Sequence, residues 1–249
     1  MKLFNFVPNF LTLTNLFFGC IAVVFGVMGD LEKLALFVSL GLICDFFDGF
    51  FARLLNIESA LGVQLDSLAD MVTSGFVPGV VMYQLFVISG AKSVDFSYQY
   101  ENFTLVFTLV PLALVGFLIP LGAAFRLARF NLITEKVSFF RGVPTPAIAL
   151  FIVALPLFIQ HPLLLSIKGF ILTPIALSII IVLSVFFMNI HWKMIALKGF
   201  NRSNPWGIIF PVILLLISIV LFYILGLAAL IIIIITYIVL SLLKNVFGV

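Results

Sequence analysis

Long apolar runs, interrupted by short polar clusters, set the pattern of this chain. A helix needs roughly 20 mostly apolar residues to cross the hydrocarbon core of a bilayer. Runs of that kind predict about eight spans, at 10–28, 34–54, 64–89, 103–125, 144–160, 170–188, 206–223 and 226–243. The fifth is short, and only a turn near residues 225–226 separates the last two. Six spans with two re-entrant pieces is the alternative. Unbroken runs such as 230–237 show no alternation, which predicts helices rather than a barrel. The expected fold class is all-α: a polytopic transmembrane helix bundle forming one integral membrane domain over 1–249.

Composition turns that pattern into exclusions. Hydrophobic residues make up 64% of the chain and charged residues 9%, against about 25% charged in a soluble domain. The mean hydropathy is +1.35. Soluble, disordered and fibrous classes are out. Cys20 and Cys44 sit inside apolar runs, so no disulfide framework is expected. The charged start is a single Lys2 and no cleavable signal peptide is evident.

Charge then gives an orientation. With eight spans, Lys33, Lys92 and Lys168 fall on one side, and the other ten of the thirteen basic residues fall on the opposite side. That majority comprises Lys2, Arg53, Arg126, Arg129, Lys136, Arg141, Lys193, Lys198, Arg202 and Lys244. The positive-inside rule places both termini, and the segments after helices 2, 4 and 6, in the cytoplasm. The net charge of +3 reads as topology plus attraction to anionic headgroups, with no nucleic-acid partner.

The acids are unevenly placed. Of ten Asp and Glu, Asp30, Glu32, Asp95, Glu101 and Glu135 fall in predicted loops, and Glu58 falls in the connection after helix 2. Asp45, Asp48, Asp66 and Asp70 lie within or at the ends of predicted helices 2 and 3. Four unpaired carboxylates near a bilayer centre would cost on the order of 10 kcal/mol. Arg53 alone cannot neutralise them, whereas hard divalent cations with oxygen ligands, Mg²⁺ or Mn²⁺, can. Asp45 and Asp48 lie about 60° apart around helix 2, and Asp66 and Asp70 stack on one face of helix 3. Two antiparallel helices joined by a short connection bring these faces around one polar cavity. Gly49 and Ala52 keep the face thin for close approach of a ligand, and Gly62 does the same where helix 3 begins. The competing reading is a non-enzymatic cation transporter lined by the same acids.

Asp45, Asp48, Gly49, Ala52, Arg53, Gly62, Asp66 and Asp70 stand in the spacing D-x-x-D-G-x-x-A-R-x8-G-x-x-x-D-x-x-x-D. This resembles the full signature of the CDP-alcohol phosphotransferase family. Further segments resemble its bacterial phosphatidylserine synthases: Pro8, Asn9, Thr12 and Asn15; 65–71; Arg126-Leu127-Ala128-Arg129-Phe130-Asn131; and 142–146. The likeness covers about the first 150 residues, so 1–150 is the expected catalytic core and 151–249 carries additional helices. Ser74 and Gly75 depart from the pattern, since relatives usually place Phe before this Gly.

The resemblance implies transfer from CDP-diacylglycerol to L-serine, giving phosphatidylserine and CMP. It also implies a site at the cytoplasmic end of the inner membrane, and a homodimer. The expected cofactors are two divalent cations, Mg²⁺ or Mn²⁺, held by Asp45, Asp48, Asp66 and Asp70, with Asp45 and Asp66 central. Asp70 is, by resemblance, also the base for the serine hydroxyl. Arg53 is expected to hold a CDP phosphate through its guanidinium fork. Gly49, Ala52 and Gly62 would shape the nucleotide pocket, and Asn9 and Thr12 would hydrogen-bond the nucleotide. Arg126 and Arg129, three apart, would grip the diphosphate or the serine carboxylate, or serve topology alone. No Ser, Cys or His forms a nucleophile–base pair in the cluster, which favours direct displacement. Glycerol 3-phosphate or an inositol phosphate remains open as the acceptor.

Overall fold

The structure is a computed structural model that describes residues 6–100, 103–132, 140–194 and 206–247. Lys2, Lys136, Lys198, Arg202, Glu101 and Glu135 lie outside the described residues. The described chain is a polytopic bundle of apolar helices, as expected.

Helix α1 (Val7–Val27) carries Pro in its first turn, where a fixed φ and a missing N–H cost nothing. Its buried stripe is Pro8, Thr12, Asn15, Gly19, Ala22 and Gly26, spaced by threes and fours. Phe10, Leu13, Phe17 and Val24 are exposed. This inverts the soluble pattern: small and polar side chains face the bundle, and large apolar ones face lipid. The chain then turns into α2 (Leu31–Leu54). Asp30 caps that helix by accepting from the Lys33 backbone N–H at 3.0 Å. The Lys33 ammonium, 2.6 Å away, holds the Asp30 carboxyl below its ordinary range. Helices α1 and α2 pack along their lengths.

The return stretch is α3 (Ala60–Asp70), a π-helical turn at Met71–Phe76, and α4 (Val77–Ile88). Of its apolar window 61% is buried, against 28–39% for the other four spanning stretches, so it is the bundle's central element. The π-turn packs against α1, α5 and α6. Its Thr73, Ser74 and Gly75 are buried directly after Asp70.

Next comes an antiparallel hairpin, β1 (Val94–Tyr100) with β2 (Phe103–Leu109), in register from Val94↔Leu109 to Tyr100↔Phe103. This corrects the span expected at 103–125. Residues 103–109 are rich in β-branched and aromatic types, with Phe103, Thr104, Val106, Phe107 and Thr108, which suits a strand, and the crossing stretch is Pro111–Asn131. Its first turns are 3-10 helix (Pro111–Phe117), followed by α5 (Leu118–Asn131).

Strand β3 (Phe140–Arg141) leads to α6 (Thr145–Gln160), which bends by 86° into Pro162–Ile171, where α7 is Leu165–Ile171. Helix α8 (Pro174–Asn189) has 16 residues, roughly 24 Å at 1.5 Å per residue and so shorter than a bilayer core. Strand β4 (Lys193–Met194) pairs with β3. Helices α9 (Trp206–Leu225) and α10 (Ala229–Phe247) pack on each other, separated at Gly226, whose φ of 56° no continuing helix adopts. By length and composition the described chain holds five spanning stretches, or up to six if the bent pair is one span. The five include Val212–Leu242 taken whole, across the Gly226 break. The count falls below eight because Thr145–Gln160 bends into the next helix, Pro174–Asn189 is short, and the stretches expected at 206–223 and 226–243 count together as the one stretch Val212–Leu242.

Candidate active site

Asp45 and Asp48 stand on the last turns of α2, and Asp66 and Asp70 on the facing side of α3. One carboxylate oxygen each from Asp45, Asp48 and Asp66 lies within 4.8 Å of the others. Asp70 is outside that trio but lines the same cavity of about 540 Å³. Its Oδ1 is buried without a hydrogen-bond partner among the described residues. A buried polar atom left unpaired costs about 1–3 kcal/mol, so such an atom marks a place where a ligand or cation belongs.

Thr12 of α1 ties this cluster to its neighbour helix. Its hydroxyl lies within hydrogen-bond distance of both Asp48 Oδ2 and the Pro8 carbonyl, and having one proton it donates to one of them at a time. Pro8 and Asn9 join it on the cavity wall. From α2 the wall takes Gly49, Ala52 and Arg53. A Cβ at position 49 would lie 3.3 Å from Arg53 Nη1, so the missing side chain lets the guanidinium fold over the helix backbone. At position 62 a Cβ would lie 3.1 Å from Ser59 Oγ and 3.3 Å from Asn9 Oδ1. Gly62 therefore sits against the Asn9 side chain of α1, and its N–H donates to the Ser59 cap at 3.0 Å.

All the residues expected around the nucleotide are thus gathered, save two. Arg126 and Arg129 do not line this cavity. Arg126, on α5, donates from Nη1 to Thr145 Oγ1 at 3.2 Å and interacts electrostatically with Asp70. Its Nε is buried without a partner among the described residues, as is Ser74 Oγ. Arg129 Nη1 lies 3.3 Å from His191 Nε2. Asn131 Nδ2 donates to Ser67 Oγ at 2.9 Å, fastening α5 to α3 beside the acids.

Glu58 and Ser59 also line the cavity, and sequence reasoning left Glu58 as a loop acid. The available signal was Ser59 three residues before Gly62, a cap that fixes where α3 begins and hence which way Glu58 faces. A second, apolar hollow of about 320 Å³ lies between α2 and α6, lined by Ser39, Leu42, Ile43, Phe46, Phe47 and Leu150. Phe46 belongs to both hollows.

The donor set consists of carboxylate oxygens, with Arg53 the one cationic side chain on the wall among the described residues. Hard divalent cations with oxygen ligands fit such a set. The arrangement suits a phosphate-bearing substrate: Arg53 supplies positive charge, cations held by the carboxylates would supply more, and the adjoining hollow is apolar.

Residues 5–190 match the CDP-alcohol phosphatidyltransferase family. The chain is 31% identical over 163 residues to the CDP-diacylglycerol–serine O-phosphatidyltransferase of Bacillus subtilis, covering 66% of this chain and 81% of that protein. It is 32% identical over 148 residues to the protein of that name from Helicobacter pylori strain J99, covering 59% and 55%. It is 30% identical over 145 residues to the archaetidylserine synthase of Methanothermobacter thermautotrophicus, covering 57% and 54%. The chain therefore spans about half the length of the latter two relatives.

Proposed function

Because the chain belongs to the CDP-alcohol phosphatidyltransferase family, we propose that it transfers the phosphatidyl group of CDP-diacylglycerol to the hydroxyl of L-serine and releases CMP. One observation carries the chemistry: Asp45, Asp48, Asp66, Asp70 and Arg53 border a single cavity that adjoins an apolar hollow. The serine acceptor is supported by the names of two of the relatives, from Bacillus subtilis and Helicobacter pylori.

In this reading the serine oxygen attacks the phosphorus bonded to diacylglycerol. The new O–P bond forms as the bond to the CMP oxygen breaks, and CMP departs with that electron pair. Asp70 accepts the serine hydroxyl proton. Arg53 holds the diphosphate through its planar fork, and the open backbone at Gly49 lets it reach. Asn9 and Thr12 face the nucleotide, and Gly62 and Ala52 leave it room. Asp45, Asp48, Asp66 and Asp70 would hold Mg²⁺ or Mn²⁺, which supplies charge neutralisation on the phosphate oxygens and acidifies the attacking hydroxyl. The acyl chains follow Phe46 into the hollow between α2 and α6. Arg126, whose buried Nε has no hydrogen-bond partner among the described residues, receives the serine carboxylate. The catalytic parts fall within 1–150, and Arg53, Arg126 and Arg129 at the cavity end of α2 and α5 support a cytoplasmic site by the positive-inside rule.

The test is CMP release from CDP-diacylglycerol by purified protein, with serine, glycerol 3-phosphate or no acceptor, in Mn²⁺ or Mg²⁺. Serine-dependent release is expected. Release that follows glycerol 3-phosphate instead would move the acceptor assignment, and none under any condition would remove the enzyme.

A further inference from the structure

The β1–β2 hairpin has two unlike faces. Its register sets Phe96 opposite Phe107, Tyr98 opposite Leu105 and Tyr100 opposite Phe103. Side chains alternate across a strand, so these six share one face. The Phe96 and Phe107 rings stack at 5.1 Å. The opposite face carries Asp95, Ser97, Gln99, Thr104 and Thr108 with one apolar residue, Val106, and on it Thr108 Oγ1 donates to Asp95 Oδ1 at 2.6 Å. The apolar face is open, from 44% exposed at Phe96 to 62% at Tyr100. No other described element packs appreciably on the hairpin.

A lone two-stranded hairpin is at best marginally stable in water, and one with a wholly apolar aromatic face is less so. Something covers it, and its placement says what. The hairpin follows α4 by a short link and runs at Val110 into the stretch Pro111–Asn131, so both its ends leave membrane-crossing helices at the same level. The helix ends beside it are themselves lipid-facing: Val87, Ile88, Leu112 and Leu114 are all exposed. The apolar face continues that surface. Tyr is a residue type that settles at the headgroup level, with an apolar body and a polar tip.

We propose that the hairpin 94–109 is an interfacial anchor. It lies on the bilayer surface at the end of the bundle remote from the aspartate cavity, its aromatic face in the acyl-chain boundary and its Asp95–Thr108 face in water. Roughly 30 Å of helix, from Asp66 to Ile88, separates it from the cavity. It thus fixes the depth of the central helix, which bears Asp66 and Asp70, from its far end.

The test uses full-length protein carrying Trp192→Phe and Trp206→Phe in phosphatidylcholine–phosphatidylglycerol vesicles. One tryptophan is then introduced, by Phe96→Trp on the apolar face or Gln99→Trp on the polar face. Lipids brominated near the headgroup end of the acyl chain should quench the Phe96→Trp emission. Aqueous iodide should quench it about threefold less than that of Gln99→Trp, as an interfacial ring requires. Leu105→Trp repeats the measurement should Phe96→Trp fail to fold. Equal iodide quenching on both faces overturns the proposal. So does shielding from iodide without quenching by brominated lipid, which would mean that protein, such as a second copy of this chain, covers the face.

Discussion

Thr12 shows how a single hydroxyl sets a carboxylate in place. Asp48 is 5% exposed, and the Thr12 hydroxyl lies within hydrogen-bond distance of its Oδ2. Groups that orient a metal-binding carboxylate typically contribute about 10–100-fold in metal affinity, so Thr12→Val should weaken Mn²⁺ binding by about that factor. Titration followed by the Mn²⁺ paramagnetic signal reads this directly, and an unchanged affinity would separate Thr12 from the site. Asp70→Asn keeps the shape of the side chain and removes its proton acceptor. General-base loss predicts a fall in kcat of about 10²–10⁴-fold with CDP-diacylglycerol binding retained. A near-normal rate would take the proton-transfer role away from Asp70. The acids were legible from sequence because spacings of three and four on a helix translate directly into a shared face. Glu58 was not, since a loop residue's direction depends on the cap that follows it. The surroundings of Arg126 and Arg129 were equally hidden, because Thr145 and His191 come from distant parts of the chain.

At the scale of elements, the site depends on how closely α1 rides on the turn that follows Asp70. A Cβ at Gly19 would lie 2.7 Å from Thr73 Cγ2 and 3.1 Å from Val72 Cγ1. Thr73 is fully buried, its hydroxyl bonded to the Ala69 carbonyl at 2.7 Å, so it has little freedom to retreat. Gly19→Val must therefore push α1 away from the π-turn, at a cost of about 1–3 kcal/mol for overpacking. Because α1 carries Thr12 and Asn9 about two and three turns earlier, the same variant should lose activity as well as thermal stability. Unfolding temperature and turnover measured together on detergent-solubilised protein check this. A destabilised but fully active variant, or a normal one, would show that the contact between α1 and the turn does not position the site. The small-residue stripe of α1 is readable at 3.6-residue spacing. The π-turn is not, since nothing in Met71–Phe76 distinguishes one inserted residue from a regular helix. The hairpin was readable in principle: Val94–Tyr100 alternates apolar and polar residues throughout, yet Phe103–Leu109 is apolar enough to pass for the start of a span.

Across the whole molecule, five acidic side chains, Asp45, Asp48, Glu58, Asp66 and Asp70, line one cavity against a single lining arginine among the described residues, and that imbalance predicts that cation binding contributes to stability. A ligand that binds only the folded state at a hundred times its Kd adds about 2.7 kcal/mol. For a chain of this length that corresponds to roughly 5–10 °C in Tm. Mn²⁺ or Mg²⁺ should therefore raise the unfolding temperature of protein first stripped with EDTA by that order, and restore turnover over the same concentration range. Asp66→Asn, which removes one of the three clustered carboxylates, should abolish both responses while leaving the cation-free unfolding temperature level or higher, because it also relieves like-charge repulsion. Span counting errs at this scale for a related reason. Hydropathy records where lipid tolerates a segment and is blind to local breaks, whereas the bend after Gln160, where Pro162 opens the next helix, and the break at Gly226, with its positive φ, are set by the backbone. A stripped protein indifferent to added cation, or an Asp66→Asn variant that still responds, would mean that these aspartates meet for some purpose other than holding a divalent ion.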